Sequence, residues 1–126
     1  MAPKILIVED DPITAVFLEE LIAETGIGFV WLQSGDERLV TDALAKHHVI
    51  GVFQDWAGPS RGLENAQLFG KRGIPVVIVS ASKLSVITTS LEAVGTKVEA
   101  ILQKPPFEAD ITNAVTRWRE KATAGK

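Results

Sequence analysis

KILIVEDDP, residues 4–12, is the stretch that decides the fold. Ile5 to Val8 form an apolar run rich in β-branched side chains, the signature of a strand buried on both faces of a sheet. Three carboxylates, Glu9, Asp10 and Asp11, follow with no spacer, so they stand together where the chain leaves its core. Like charges at this spacing repel, and a cation, a helix end or water must offset them. Asp11 before Pro12 has the form of a helix N-cap with proline at the first helical position, which assigns Asp11 to the helix and leaves Glu9 and Asp10 for other chemistry.

Working outward, short apolar runs recur at Phe29 to Leu32, Val49 to Phe53, Val76 to Val79 and Ala100 to Leu102, each separated by room for a helix. The intervening stretches carry helical periodicity: Leu18, Leu21 and Ile22; Leu39, Val40, Ala43, Leu44 and His47; Leu84, Ile87, Leu91 and Val94; Ile111, Ala114, Val115 and Trp118. A third helix is predicted from Gly62 to about Arg72. Strands joined by helices must be parallel with right-handed crossovers, so the expected product is an α/β three-layer sandwich of the (βα)5 kind. Gly26, Gly28, Gly51, Gly58, Gly62, Gly73 and Gly95 read as punctuation between elements. His47 and His48 read as the close of the second helix, and Ala122 to Lys126 as a frayed tail after a core of about 4–121.

The chain's 126 residues suit one domain, and thirteen basic against sixteen acidic residues give a net charge of -3. No basic patch is present, which argues against direct contact with nucleic acid or an anionic membrane. The absence of cysteine removes disulfides and thiolate metal sites. With no signal peptide or apolar span in the sequence, a cytoplasmic location is expected.

In an open parallel sheet, a site forms beyond the carboxyl ends of the strands. There the sequence places Glu9-Asp10, Asp55-Trp56, Ser80-Ala81 and Lys104-Pro105-Pro106. Converging carboxylates make an oxygen-rich site for a hard divalent cation, and Mg²⁺ is the natural occupant. A cation, a carboxylate at the end of the central strand, a hydroxyl and a lysine are the parts for phosphoryl transfer, with Asp55 as nucleophile. A flavin carrier would need a hydroxyl- and glycine-rich phosphate loop after the first strand, where three acids stand instead. A phosphatase acting on external substrates would commonly carry Asp-x-Asp there, which is absent.

The ordered set Glu9 and Asp10, Asp55 with Pro59, Ser80-Ala81 and Lys104-Pro105 resembles the receiver domain of two-component response regulators, from Lys4 to about Lys121. The resemblance implies a single receiver domain over 1–126 with the flavodoxin-like strand order 2-1-3-4-5, an order for which a receiver is itself a reference example. It implies that Asp55 accepts a phosphoryl group from a phosphohistidine on a histidine kinase or phosphotransfer protein. Mg²⁺ would be held by Asp10, Asp55 and the backbone carbonyl of Ala57, with Glu9 acting through a water. Ser80 and Lys104 would contact the phosphoryl group, with a cis bond before Pro105. The protein would catalyse only its own phosphorylation and dephosphorylation, and would act on a downstream target or a fused output domain; a homodimer is compatible with this.

The sequence departs from the family's pattern at Ile101, where a rotating aromatic ring is usual three residues before the lysine. Pro106 replaces a common phenylalanine, although Phe107 follows, and the loop from Gly95 to Glu99 is long. Ala57 and Ser82, at variable positions beside the site, are small. A module that binds partners constitutively, without phosphorylation, is the alternative that Ile101 suggests.

Overall fold

In a computed structural model that describes residues 1–124, the chain alternates strand and helix throughout. The elements are β1 (Pro3–Val8), α1 (Pro12–Glu24), β2 (Gly28–Leu32), α2 (Glu37–Lys46), β3 (His48–Gln54), α3 (Gly62–Lys71), β4 (Val76–Ser80), α4 (Leu84–Ala93), β5 (Ala100–Gln103) and α5 (Glu108–Ala124), with a single 3₁₀ turn at Gly58–Ser60 before α3. All strand pairs are parallel, and the order is β2-β1-β3-β4-β5. This is the flavodoxin-like order expected.

Alternation along the strands splits the core into two layers of apolar packing. Ile5, Ile7, Phe53, Val77 and Val79 face α1 and α5, where Leu18, Ile22, Ile111, Val115 and Trp118 cover them. Leu6, Val8, Val52 and Ile78 face the other way, against Val40, Ala43, Ala66, Phe69, Ile87 and Leu91 of α2, α3 and α4. Each fully buried aliphatic side chain of this kind contributes roughly 1.5–3 kcal/mol. β1, β3 and β4 are covered on both faces, which is why their sequences are continuously apolar.

Several sequence readings need correction. Gly51 lies inside β3 and Gly28 opens β2, so neither stands between elements, whereas Gly62 opens α3 where the third helix is predicted to begin. At Gly51 the ladder with β1 is irregular: Lys4 pairs with Val49 and Ile5 with Gly51, so Ile50 is an extra residue. The bulge turns both Ile50 and Gly51 toward α5, and a Cβ at Gly51 would collide with the ring of Trp118. That ring also packs on Phe53, centroids 5.0 Å apart. His47 follows the last helical residue, Lys46, with extended backbone, and His48 opens β3. Leu84 is the first residue of α4 and Val94 lies one past its end, and both are exposed; Leu39 is likewise exposed, one position around the helix from buried Val40. α5 continues through Ala122 to Ala124 because Ala122 packs against the core, while Gly125 and Lys126 lie outside the described residues.

At the start of α1 the cap forms as the sequence predicts. Asp11 accepts hydrogen bonds from the Ile13 and Thr14 amides, and from the Thr14 hydroxyl at 2.7 Å. The Thr14 hydroxyl is the largest of the influences that hold the Asp11 carboxyl below its ordinary pKa.

Replacing Gly51 with alanine should force the Trp118 ring out of its seat and lower unfolding stability by roughly 1–3 kcal/mol. Urea unfolding followed by circular dichroism measures this, and a midpoint equal to that of the wild type would refute the close approach.

Candidate functional site

The sheet's own hydrogen bonds fix the acidic edge. The ladder runs one residue past the strands: the Glu9 amide donates to Leu32 O at 3.0 Å, Asp55 to Val8 O at 2.9 Å and Lys104 to Ser80 O at 2.9 Å. Each of these side chains therefore leaves the backbone at a position set by the sheet. Ser80 is the last residue of β4, and the amide of Ser82 donates to its hydroxyl oxygen at 3.0 Å, leaving the hydroxyl proton available to another acceptor.

Lys104 joins the acids. Its ammonium lies 2.7 Å from Glu9 Oε1 and 3.1 Å from Asp55 Oδ1. Glu9 is 1% exposed and Asp55 6%, so this is a buried arrangement of two carboxylates around one cation. The contact to Glu9 Oε1 is an ion pair at short range; no donor is aligned on that oxygen as a hydrogen bond. Glu9 Oε2 accepts the Asp11 amide at 3.2 Å.

Burial pushes the Glu9 carboxyl up to about 7, with the Asp55 charge adding to the rise and Lys104 opposing it. Burial also pulls Lys104 down, but Glu9 and Asp55 together outweigh it and hold the ammonium above its ordinary value. The lysine thus keeps its proton, while Glu9 carries the cost of desolvation.

Asp10 is exposed at the mouth of the site, and one oxygen from each of Glu9, Asp10 and Asp55 lies within 4.8 Å of the others. Such a set of hard oxygen donors could hold a divalent metal ion. Asp10, Asp55, Ala57, Ser80 and Lys104 line one open cleft of about 230 Å³, together with Gly58, Pro59, Ala81 and Ser82. The Ala57 carbonyl accepts the Ser60 amide at 3.3 Å, and a carbonyl's second lone pair remains for another partner. A larger groove of about 490 Å³, between the end of α3 and the loop after α4, is lined by Lys71 and Lys97 but by no acid.

The residues singled out in the sequence thus converge, with Glu9 beneath the cleft and the others around it. The Lys104–Pro105 peptide is cis, as the resemblance implies. Trp56 is half-buried at the edge of the site, its carbonyl accepting the Gly62 amide at 3.0 Å. Ile101 pairs with Ile78 and packs half-buried on the side of α3 and α4. Three residues of the site's surroundings escaped the sequence reading: Gln54, Ser60 and Asn65, all buried polar side chains under the loop that follows Asp55. A glutamine closing the apolar run of β3 and an asparagine on the buried stripe of α3, beside Ala66 and Phe69, were the available signals.

No protein-family model matches the sequence, and no curated protein does. Solved structures do. The receiver domain of a Francisella response regulator superposes with a TM-score of 0.75 at 23% identity, over 95% of this chain and 98% of that one. The receiver domain of a signal transduction histidine kinase from Syntrophus aciditrophicus gives a TM-score of 0.76 at 24% identity, over 94% and 90%. A CheY-like receiver domain protein from Methanospirillum hungatei gives 0.75 at 16%, over 96% and 99%. The fold is that of a receiver domain. The likeness spans nearly the full length of both partners in each comparison.

Glu9 gives this site a pH signature. In metal-free protein the folded state keeps on Glu9 a proton that the unfolded chain releases around 4.5, the ordinary value. The folded state is then the proton-richer one, so stability falls as pH rises from about 4.5 through about 7, by at most roughly 3 kcal/mol. Urea midpoints in chelator across that window should decline more steeply for wild type than for Glu9→Gln; parallel profiles would contradict the assignment.

Proposed function

We propose that the chain is a phosphoryl-accepting receiver of a His-to-Asp phosphorelay, with Asp55 as the acceptor. The observation that carries this reading is the Lys104 ammonium, 3.1 Å from Asp55, across a cleft that Ser80 and Asp10 also line. A carboxylate oxygen of Asp55 attacks the phosphorus of a phosphohistidine in line. The phosphorus–nitrogen bond breaks, its electron pair leaves with the imidazole, and an acyl phosphate forms on Asp55. Lys104 moves its charge from the bare carboxylate to the phosphoryl oxygens, and the Ser80 hydroxyl donates to one of them.

The donor set fits Mg²⁺, with Asp10, Asp55 and the Ala57 carbonyl as ligands and Glu9 acting through a water. When bound, the ion offsets the charge of the crowded carboxylates and of the incoming phosphoryl group. Water reaching the open cleft past the small Ala57 and Ser82 hydrolyses the acyl phosphate, which resets the switch. The protein turns over no external substrate.

The phosphohistidine partner is a histidine kinase or phosphotransfer protein. Ile13, 82% exposed at the start of α1, and Phe107, 79% exposed before α5, stand at the same sheet edge as the cleft and offer it an apolar rim. Phosphorylation then changes what a downstream target or linked output domain meets, and a second copy of the chain is one such target. These encounters take place in the cytoplasm; among the described residues no helix is long and apolar enough to cross a membrane.

Incubation with Mg²⁺ and acetyl phosphate, read by intact mass, should add one phosphoryl group to wild type and none to Asp55→Asn. Ser80→Ala should slow the uptake roughly tenfold and Lys104→Ala roughly 10²-fold. No gain with any donor or metal would overturn the reading in favour of a constitutive interaction module. Phe107→Ser should slow transfer from a phosphohistidine protein while leaving the acetyl phosphate rate unchanged, and equal slowing of both would remove Phe107 from the docking rim.

A further inference from the structure

The loop that carries the acceptor is held from below by two buried amides that the phosphoryl chemistry does not touch. Gln54, fully buried, donates through Nε2 to Asp55 O at 2.8 Å and to Ser60 O at 2.7 Å. Asn65, on α3, donates through Nδ2 to the same Ser60 O at 3.0 Å and to Gly35 O at 3.1 Å. Both amide orientations are forced, because the flipped form would set oxygen against carbonyl oxygen. Each carbonyl would otherwise be a buried acceptor without a donor, a loss of about 1–3 kcal/mol.

The contact extends across the fold. The Gly35 amide donates to Pro59 O at 2.8 Å, so Gly35 both gives a hydrogen bond to the 55–60 loop and takes one from Asn65. A Cβ at Gly35 would run into the Ser60 carbonyl, so the two loops lie in direct contact. Gly35 stands just before Asp36, which caps α2 by accepting the Arg38 amide.

We infer that Gln54 and Asn65 are positioning residues: together they clamp the 55–60 loop, fixing the Asp55 carboxylate and the Ala57 carbonyl, and couple that loop to Gly35 at the entrance of α2. This rests on the reading of Asp55 as acceptor for its chemical consequence, although the coupling to Gly35 is independent of it. The span between Gln54 and Ser60 contains a half-buried tryptophan, a glycine at positive φ and a proline; its carbonyl at Ser60 is the point on which both amides converge. The Asp55 amide stays on the sheet ladder, but loosening either side-chain amide frees the peptide that follows it, so the Asp55 carboxylate and the Ala57 carbonyl shift relative to Lys104 and Ser80, which are held by the other half of the sheet.

The test compares wild type with Gln54→Met, a near-isostere without donors, and Asn65→Ala. Ile111→Ala, on the opposite face of the sheet, serves as a destabilised control. Under conditions where circular dichroism shows all four folded, acetyl phosphate uptake at saturating Mg²⁺ should fall roughly tenfold or more in the two clamp variants and stay at the wild-type rate in the control. Amide hydrogen exchange at Gly35 should accelerate about tenfold in the clamp variants relative to the control. A clamp variant that folds and takes up phosphoryl groups at the wild-type rate overturns the positioning role, and unchanged Gly35 exchange overturns the coupling. Should wild type itself take up none, the acceptor reading fails, and Gly35 exchange alone then decides whether the clamp exists.

Discussion

One ammonium ion between two buried carboxylates organises this molecule's acidic edge. Without Lys104, Glu9 and Asp55 would face each other in a poorly solvated place, and at least one would have to hold its proton. With it, one of the two negative charges is offset, yet the Glu9 carboxyl is still driven up by burial. Buried ion pairs of this kind return little net stability, since desolvation consumes most of the Coulomb gain. The arrangement is therefore no brace for the fold; on the function proposed above, it is a site kept ready for a different cation and a different anion.

The fold is braced elsewhere. Two apolar layers, one under α1 and α5 and one under α2, α3 and α4, enclose the central strands, and the acids and the lysine stand just beyond the strands' carboxyl ends. Because the hydrogen-bond ladder runs one residue beyond the strands, Glu9, Asp55 and Lys104 inherit the rigidity of the sheet, although their residue types would be costly within it. The polar edge is thus as well positioned as the apolar core.

Much of this was legible in the sequence. Five apolar runs fell on the five strands, the stripe Ile111, Ala114, Val115 and Trp118 proved wholly buried, and Asp11 capped its helix. The acids, serine and lysine converge because parallel connectivity brings every strand's carboxyl end to one edge, a consequence of topology that spacing alone can carry. Strand order is different, since nothing in local periodicity encodes which strands are neighbours, and here it came from the family resemblance. Gly51 misled because glycine is ordinarily a turn signal, whereas in β3 it makes room for an indole belonging to a helix far along the chain. Gln54 and Asn65 left only a faint trace, one polar residue closing an apolar run and one on a buried stripe, and Gly35 left none, because hydrogen bonds to main-chain carbonyls distant in sequence write no periodic pattern in residue types.

The edge strand adds one more tie. The indole N–H of Trp31 in β2 donates to the carbonyl of Glu9 at 2.8 Å, so an aromatic chromophore is bonded directly to the backbone of the acidic triplet. Its excited state is sensitive to local electric field, whereas Trp118 is sealed in the interior, with its own N–H directed at Glu99. The molecule therefore contains an optical gauge of the charge at its acidic edge, alongside a second indole buried among apolar side chains and paired with a different carboxylate.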